Sequence, residues 1–277
     1  MAIILLDGAM GTMLQQAGLK PGETSEVMNI RNPKAVLKIH RAYAEAGARM
    51  LYTNTLCANA LNLRGSGLSV REVIASGIEL AHKAGDVKVA LDVGPLGAVI
   101  APPEEKPEDG ELSFDAAYNL YAEQVALGAE NGADYIVVET QYDLLEVGIA
   151  LAAARDAAKL PVLVTMTFDE TGRTFSGATP EDFAAAAEKL GAVALGLNCS
   201  LGPDEVFPIF RTLAGLTKLP LIAKPNAGLP NSFGEYDASP EDFAEGMRPF
   251  VAAGAKFVGG CCGTTPAFID ALRRALV

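Results

Sequence analysis

The sequence predicts an α/β protein folded as a single (β/α)8 TIM barrel over residues 1–277. Three observations carry this: a strand–helix unit that repeats, eight short apolar runs, and a length of 277 residues. Barrels of this type close at about 250 residues in one domain. Half of the residues are hydrophobic, so core material is ample. A doubly wound open sheet is the alternative, but the evenness of the repeat favours closure.

The repeat is explicit. Lys159-Leu-Pro-Val-Leu-Val164 returns as Lys218-Leu-Pro-Leu-Ile-Ala223, and Thr179-Pro-Glu-Asp-Phe-Ala184 returns as Ser239-Pro-Glu-Asp-Phe-Ala244. Such self-similarity marks a fold assembled from one supersecondary unit. The first strand is read at 2–7 and ends at Asp7. Asn32-Pro33 then opens a helix, with an amide to cap it, proline in its first turn, and Val36, Ile39, Tyr43 and Ala46 on one face. Gly47-Ala48 closes that helix, and Gly132, Gly191 and Gly254, each followed by alanine, do the same further on. Strands follow at 49–54, 88–93, 134–139, 161–167, 193–198, 220–225 and 256–261. They are continuously apolar rather than alternating, as expected where helices cover a parallel sheet. Residues 102–110, Pro-Pro-Glu-Glu-Lys-Pro-Glu-Asp-Gly, read as a solvated loop after the third strand.

Composition excludes several functions. The 22 basic and 34 acidic residues give a net charge of −12, the wrong sign for nucleic acid or an anionic membrane. The N-terminal apolar run stops at Asp7, too short for a signal peptide or a membrane span, so a cytoplasmic location is expected. Only His40 and His82 are present, both in helix-like segments, which leaves histidine metal sites and Ser-His-Asp chemistry poorly supplied.

In a barrel, chemistry gathers at the C-terminal ends of the strands. Here those ends are polar: Asp7, Thr53-Asn54, Asp92, Glu139, Thr165 and Thr167, Asn198-Cys199, Lys224 and Asn226, Cys261-Cys262. Asn54, Glu139, Asn198 and Cys261 each lie seven residues after the glycine of their unit, so these positions converge on one mouth. One strand separates the sixth from the eighth, which lets Cys199, Cys261 and Cys262 meet. A lone strand-end cysteine reads as a buried apolar residue. Three clustered beside Gly259, Gly260 and Gly263 suit a zinc ion with one open position. Cys57, in the loop after the second strand, is not expected to join them.

Zinc held by three thiolates carries a net −1 charge, which weakens it as a generator of hydroxide and disfavours hydrolysis. A thiol substrate fits better, because free thiols are mostly protonated at neutral pH and react as thiolates. Asp7 and Glu139 can accept hydrogen bonds from an ammonium group, and the amides of the Gly8-Ala-Met-Gly11 turn can receive a carboxylate. Either acid alone reads equally well as a helix cap or a surface ion pair. Lys224 either binds an anion or snorkels outward.

These residues resemble a known family. Leu6-Asp-Gly-Ala-Met-Gly-Thr12, Thr53-Asn-Thr55, Gly196-Leu-Asn-Cys-Ser-Leu-Gly-Pro203, Pro225-Asn-Ala-Gly-Leu-Pro230 and Gly259-Gly-Cys-Cys-Gly-Thr-Thr-Pro266 are similar to the homocysteine-binding domain of homocysteine S-methyltransferases. The runs 225–231 and 234–237 look most like the cobalamin-dependent methionine synthase branch. The resemblance implies Cys199, Cys261 and Cys262 as zinc ligands, homocysteine sulfur as the fourth, and Asn226 as an oxygen ligand when the thiol is absent. It implies Asp7, Gly8, Thr53 and Glu139 as contacts to the amino-acid end. Asn198 is placed with these contacts, and Glu139 with the cysteines as catalytic. The Asp-x-His-x-x-Gly cobalamin signature is missing. The expected reaction is zinc-dependent methylation of homocysteine to methionine, with methylcobalamin, free or on a separate corrinoid protein, as donor. A folate methyltransferase is a further expected partner. A small sulfonium or betaine-type donor is one alternative, and a non-catalytic thiol- or zinc-binding subunit is another.

Overall fold

In the computed structural model, which describes residues 2–20, 22–231 and 236–277, eight parallel strands form a ring with helices between them. They are β1 (Ile4–Leu5), β2 (Met50–Tyr52), β3 (Lys88–Val93), β4 (Tyr135–Gln141), β5 (Val162–Met166), β6 (Ala194–Asn198), β7 (Leu221–Lys224) and β8 (Ala255–Val258). Each strand from β2 to β8 pairs with its successor, and β8 pairs with β1. The seam between β1 and β2 is closed by the bridge Leu6–Met50 and by the Arg49 N–H donating to the Leu5 carbonyl at 2.8 Å. The barrel expected from the repeat is the fold observed. Gly234 and Glu235 of the 234–237 run lie outside the described residues.

The local signals act through the expected chemistry. Asn32 accepts the Ala35 N–H at the start of helix Pro33–Ala46. Thr179 and Asp182 form a reciprocal capping box ahead of helix Pro180–Lys189. Gly47, Gly132, Gly191 and Gly254 all take left-handed backbone angles, which a side chain disfavours. The acidic segment 102–110 is exposed throughout, and its base is pinched by the bridge Ile100–Leu112.

Six strands, all but β3 and β4, are shorter than their sequence suggests, and β1 and β8 show why. β1 has two residues and β8 stops at Val258, three residues before Cys261. The backbone there still bonds, but to loops: the Gly260 N–H reaches the Asp7 carbonyl and the Cys261 N–H reaches that of Pro225. Apolar runs report burial rather than ladder pairing, so they overshoot where the chain peels away.

Inside the ring, Leu6, Met50, Ala90, Val137, Leu163, Ala194, Ile222 and Phe257 pack as one apolar layer. Strand side chains alternate faces. Two residues further along the same strands stand Tyr52, Asp92, Glu139, Thr165 and Lys224, all buried. The barrel is therefore apolar at its waist and polar just below its mouth. A second, larger core fills the space between sheet and helices.

Gly196 shows how tightly the ring is drawn, since a Cβ there would run into the Ile222 backbone on β7. Gly196→Ala is expected to cost about 3 kcal/mol or more, the upper range for overpacking. Urea unfolding of the variant beside the parent checks this.

Candidate metal centre and substrate pocket

The three cysteines predicted from strands six and eight do meet. Each offers one Sγ, all three sulfurs lie within 4.8 Å of one another, and Cys199 and Cys262 stand 3.7 Å apart as free thiols. Two zinc–sulfur bonds of ~2.3 Å at a tetrahedral angle put their sulfurs about 3.8 Å apart, so the spacing fits. Cys199 and Ser200 both have φ of 63°, a left-handed pair that turns the chain off β6. Non-glycine residues in that region cost ~1–3 kcal/mol each, and such strain collects at functional sites.

The loop after β7 braces the other two. Cys199 N–H donates to the Lys224 carbonyl, Asn226 N–H to that of Leu201, and Ala227 N–H to that of Cys262. Asn226 is buried, and its Oδ1 has no hydrogen-bond partner among the described residues. The loop that carries this orphaned oxygen is clasped to both cysteine loops. Hydrogen bonds from Cys199 and Cys261 pull the Cys262 pKa down to about 3. Cys199, the donor to both neighbours, is pushed well up.

Asn198 does not face the substrate cavity. Its Oδ1 accepts the Thr140 N–H at 3.0 Å and the Thr165 hydroxyl at 2.8 Å. Its Nδ2 donates to the Thr140 hydroxyl at 2.8 Å and towards Cys261 Sγ at 3.8 Å. The amide is thus spent on the protein. It holds Thr140, which has a φ of 60° and follows Glu139, in register with Cys261.

Beside the sulfurs, a cavity of ≈ 230 Å³ opens at the mouth, lined by Asp7, Gly8, Tyr52, Thr53, Asp92 and Glu139 together with Lys224 and the cysteines. Lys224 neither snorkels nor stands free for an anion. It is buried inside the ring, with Nζ 3.0 Å from Asp7 Oδ1, 4.0 Å from Glu139 Oε2 and 3.6 Å above the centre of the Tyr52 ring. Burial opposes its charge, but Asp7 and Glu139 outweigh that and raise its pKa well above the ordinary value. Asp7 is committed twice, to Lys224 and, through Oδ2, to the Tyr52 N–H at 2.7 Å. Burial raises Glu139 to about 7 against the pull of Lys224. It raises Asp92 well above the carboxylate range, with Glu139 adding to the effect.

Thr53 enters the wall, but its hydroxyl is engaged. Asp92 N–H donates to Thr53 Oγ1 at 3.0 Å, Thr53 Oγ1 lies 2.6 Å from Thr55 Oγ1, and Thr55 donates to the Asp92 carbonyl at 2.8 Å. The Thr53 hydrogen therefore goes to Thr55, and its backbone carbonyl accepts the Thr55 N–H at 2.9 Å. Asn54 lines the wall while its amide bonds Ser25 and Asn29. Cys57 stays apart, its pKa pushed up to about 12 chiefly by burial. Neither histidine lines the cavity. Sequence reading missed the roles of Lys224, Tyr52 and the Thr140–Thr165 pair, although the step of two from an apolar interior position would have flagged Tyr52 and Lys224.

Removing one partner from a buried ion pair costs ~3–5 kcal/mol, because the other charge is left uncompensated. Lys224→Met is expected to lose that much stability, and Asp7→Asn in the same chain to restore part of it. Urea midpoints of the parent, both single variants and the double variant measure the coupling.

Comparison with known proteins agrees with this geometry. The family model for homocysteine S-methyltransferase matches residues 4–276. The metallated form of the homocysteine methyltransferase MmuM from Escherichia coli superimposes with a TM-score of 0.82 at 26% identity, covering 99% of this chain and 96% of that one. Its oxidized form gives 0.82 at 27% identity, covering 98% and 95%. The carboxyl transferase domain of Rhizobium etli pyruvate carboxylase, at 15% identity and a TM-score of 0.56 over 99% of this chain and 46% of that one, shares the fold alone. With a match spanning all eight strands, a methyltransferase neighbour of the same extent and a sulfur cluster able to hold a metal, the chain belongs to the homocysteine S-methyltransferase family.

Proposed function

We propose that this enzyme methylates the sulfur of homocysteine to give methionine, using a zinc ion held by Cys199, Cys261 and Cys262. The observation that carries the reading is the cluster of three sulfurs within 4.8 Å of one another beside a carboxylate-lined cavity of ≈ 230 Å³. Asn226 Oδ1, buried without a partner among the described residues, would be the chain's own fourth donor to such an ion. Zinc in this thiolate set would keep a bound thiol deprotonated at neutral pH while leaving its sulfur electron-rich.

The chain's own residues do the rest. Asp7 and Glu139 face the substrate's ammonium, Thr53 shapes the wall beside them, and Gly8 lets the substrate carboxylate approach the turn before helix Met10–Gln16. Glycine is required at that turn, because a Cβ on Gly8 would press on Thr264 and Tyr43. Asn198 keeps Cys261 and the Glu139–Thr140 segment in fixed relation. The sulfur attacks the methyl carbon in line as the bond from that carbon to its carrier breaks, and the electron pair leaves with the carrier. No proton moves in this step, which suits a site without histidine.

The cavity is smaller than the ~300–1,000 Å³ usual for ligand pockets, so it admits a small amino acid and keeps a corrin ring outside. Methylcobalamin, free or on a separate corrinoid protein, would present its methyl group at the rim. A folate methyltransferase would reload it, and the cytoplasm is where such partners would meet.

Purified protein is expected to hold about one zinc per chain by elemental analysis, and Cys199→Ala to lose most of it. Methionine should form from homocysteine with methylcobalamin. Turnover with S-methylmethionine or betaine alone would overturn the corrinoid donor, and absence of turnover with every donor would overturn the methyltransfer reading.

A further inference from the structure

We propose that Asp92 on β3 is a third acid of the ammonium pocket, and that with Glu139 it sets the enzyme's selectivity for thiols bearing an α-amino group. The inference rests on the homocysteine reading above and concerns a residue to which nothing else in that reading gives a role.

The argument is an account of donors and charges. The pocket holds three carboxylates, Asp7, Asp92 and Glu139, against one cation, Lys224. Asp7 has both oxygens engaged, by the Lys224 ammonium and the Tyr52 amide. Asp92 Oδ1, Glu139 Oε2 and the Tyr52 hydroxyl oxygen are each buried without a hydrogen-bond partner among the described residues. Orphaned buried oxygens cost ~1–3 kcal/mol apiece, more when charged, and native structures keep few of them without a purpose. The pocket thus holds more acids than cations and lacks about three donors, and a primary ammonium group supplies both a positive charge and three donors.

Asp92 is also built to aim. It stands two residues beyond Ala90 of the apolar layer, so its side chain enters the ring. Its backbone amide and carbonyl are both tied to the Thr53–Thr55 hydroxyl pair, which fixes this stretch of β3 from the loop after β2. Residues that merely fill a polar layer need no such bracing on both sides of the peptide. Asp7, by contrast, is placed by its ion pair and is less free to answer a second cation.

The test compares two thiols with the same chain and carboxylate: homocysteine, and 4-mercaptobutanoate, which lacks the amino group. Binding of each to zinc-loaded wild type and to Asp92→Asn is measured by calorimetry. Wild type should prefer homocysteine by tenfold or more. Asp92→Asn should lose most of that preference through weaker homocysteine binding, while 4-mercaptobutanoate binds within about twofold of wild type. A misfolded variant would lose both ligands and zinc, so retention of 4-mercaptobutanoate and of one zinc per chain shows the effect is local. In turnover the variant should raise the homocysteine KM with kcat changed little. Unchanged selectivity in Asp92→Asn overturns the role of Asp92. Failure of wild type to bind homocysteine at all overturns the underlying substrate reading, and the two failures are separate results.

Discussion

The Asp7 carboxylate is the contact on which both the barrel and its pocket depend. Every other neighbouring strand pair is joined by a ladder, but β1 and β2 share one bridge. There Asp7 Oδ2 takes the Tyr52 N–H at 2.7 Å, a side chain standing in for a missing ladder bond. Its other oxygen binds Lys224 on β7, so one carboxylate draws together three strands around the mouth. A buried carboxylate on its own would be prohibitively costly. Lys224 makes it tenable, and the lysine in turn rests on the Tyr52 ring. Closure of the seam and assembly of the charged pocket are one event.

From that pairing the layering of the site follows. The apolar waist excludes water from below, and the polar layer above it is left with more acids than cations. That imbalance calls for a ligand with positive charge. The sulfur cluster lies on the opposite arc, after β6 and β8, and the β7 loop is bonded to both of its neighbours. Asn198 links the two arcs through Thr140, beside Glu139, and Cys261. Strain at Thr140, Cys199 and Ser200 is confined to this link. A regular strand end would point successive side chains alternately into the ring and out toward the helices.

Much of this was legible in the residues. Capping pairs such as Thr179 with Asp182, the glycines at helix ends and the eight apolar runs announce the barrel, because each depends only on neighbours in sequence. The convergence of the cysteines was also readable, since equal spacing from equivalent glycines puts side chains at equal height in a ring. Boundaries at β1 and β8 were not, because apolar character persists where the ladder stops. Nor was the fate of Lys224: whether a strand-end lysine turns in or out depends on which acids lie across the ring.

The sequence by itself determined the fold class, the end of the barrel that carries the chemistry, and the sulfur-rich and acid-rich character of that end. These follow from periodicity, spacing and composition, which are local or additive properties. The tertiary structure alone decided which polar groups are spent on one another and which remain for a ligand. Thr53 and Asn198 look like substrate contacts in the sequence and are consumed by the protein. Asp92, which the sequence shows only as one more polar strand end, and Asn226 keep oxygens with no partner among the described residues. Hydrogen-bond partners fixed across 39 or 63 residues of sequence are set by ring closure, and no local pattern encodes them.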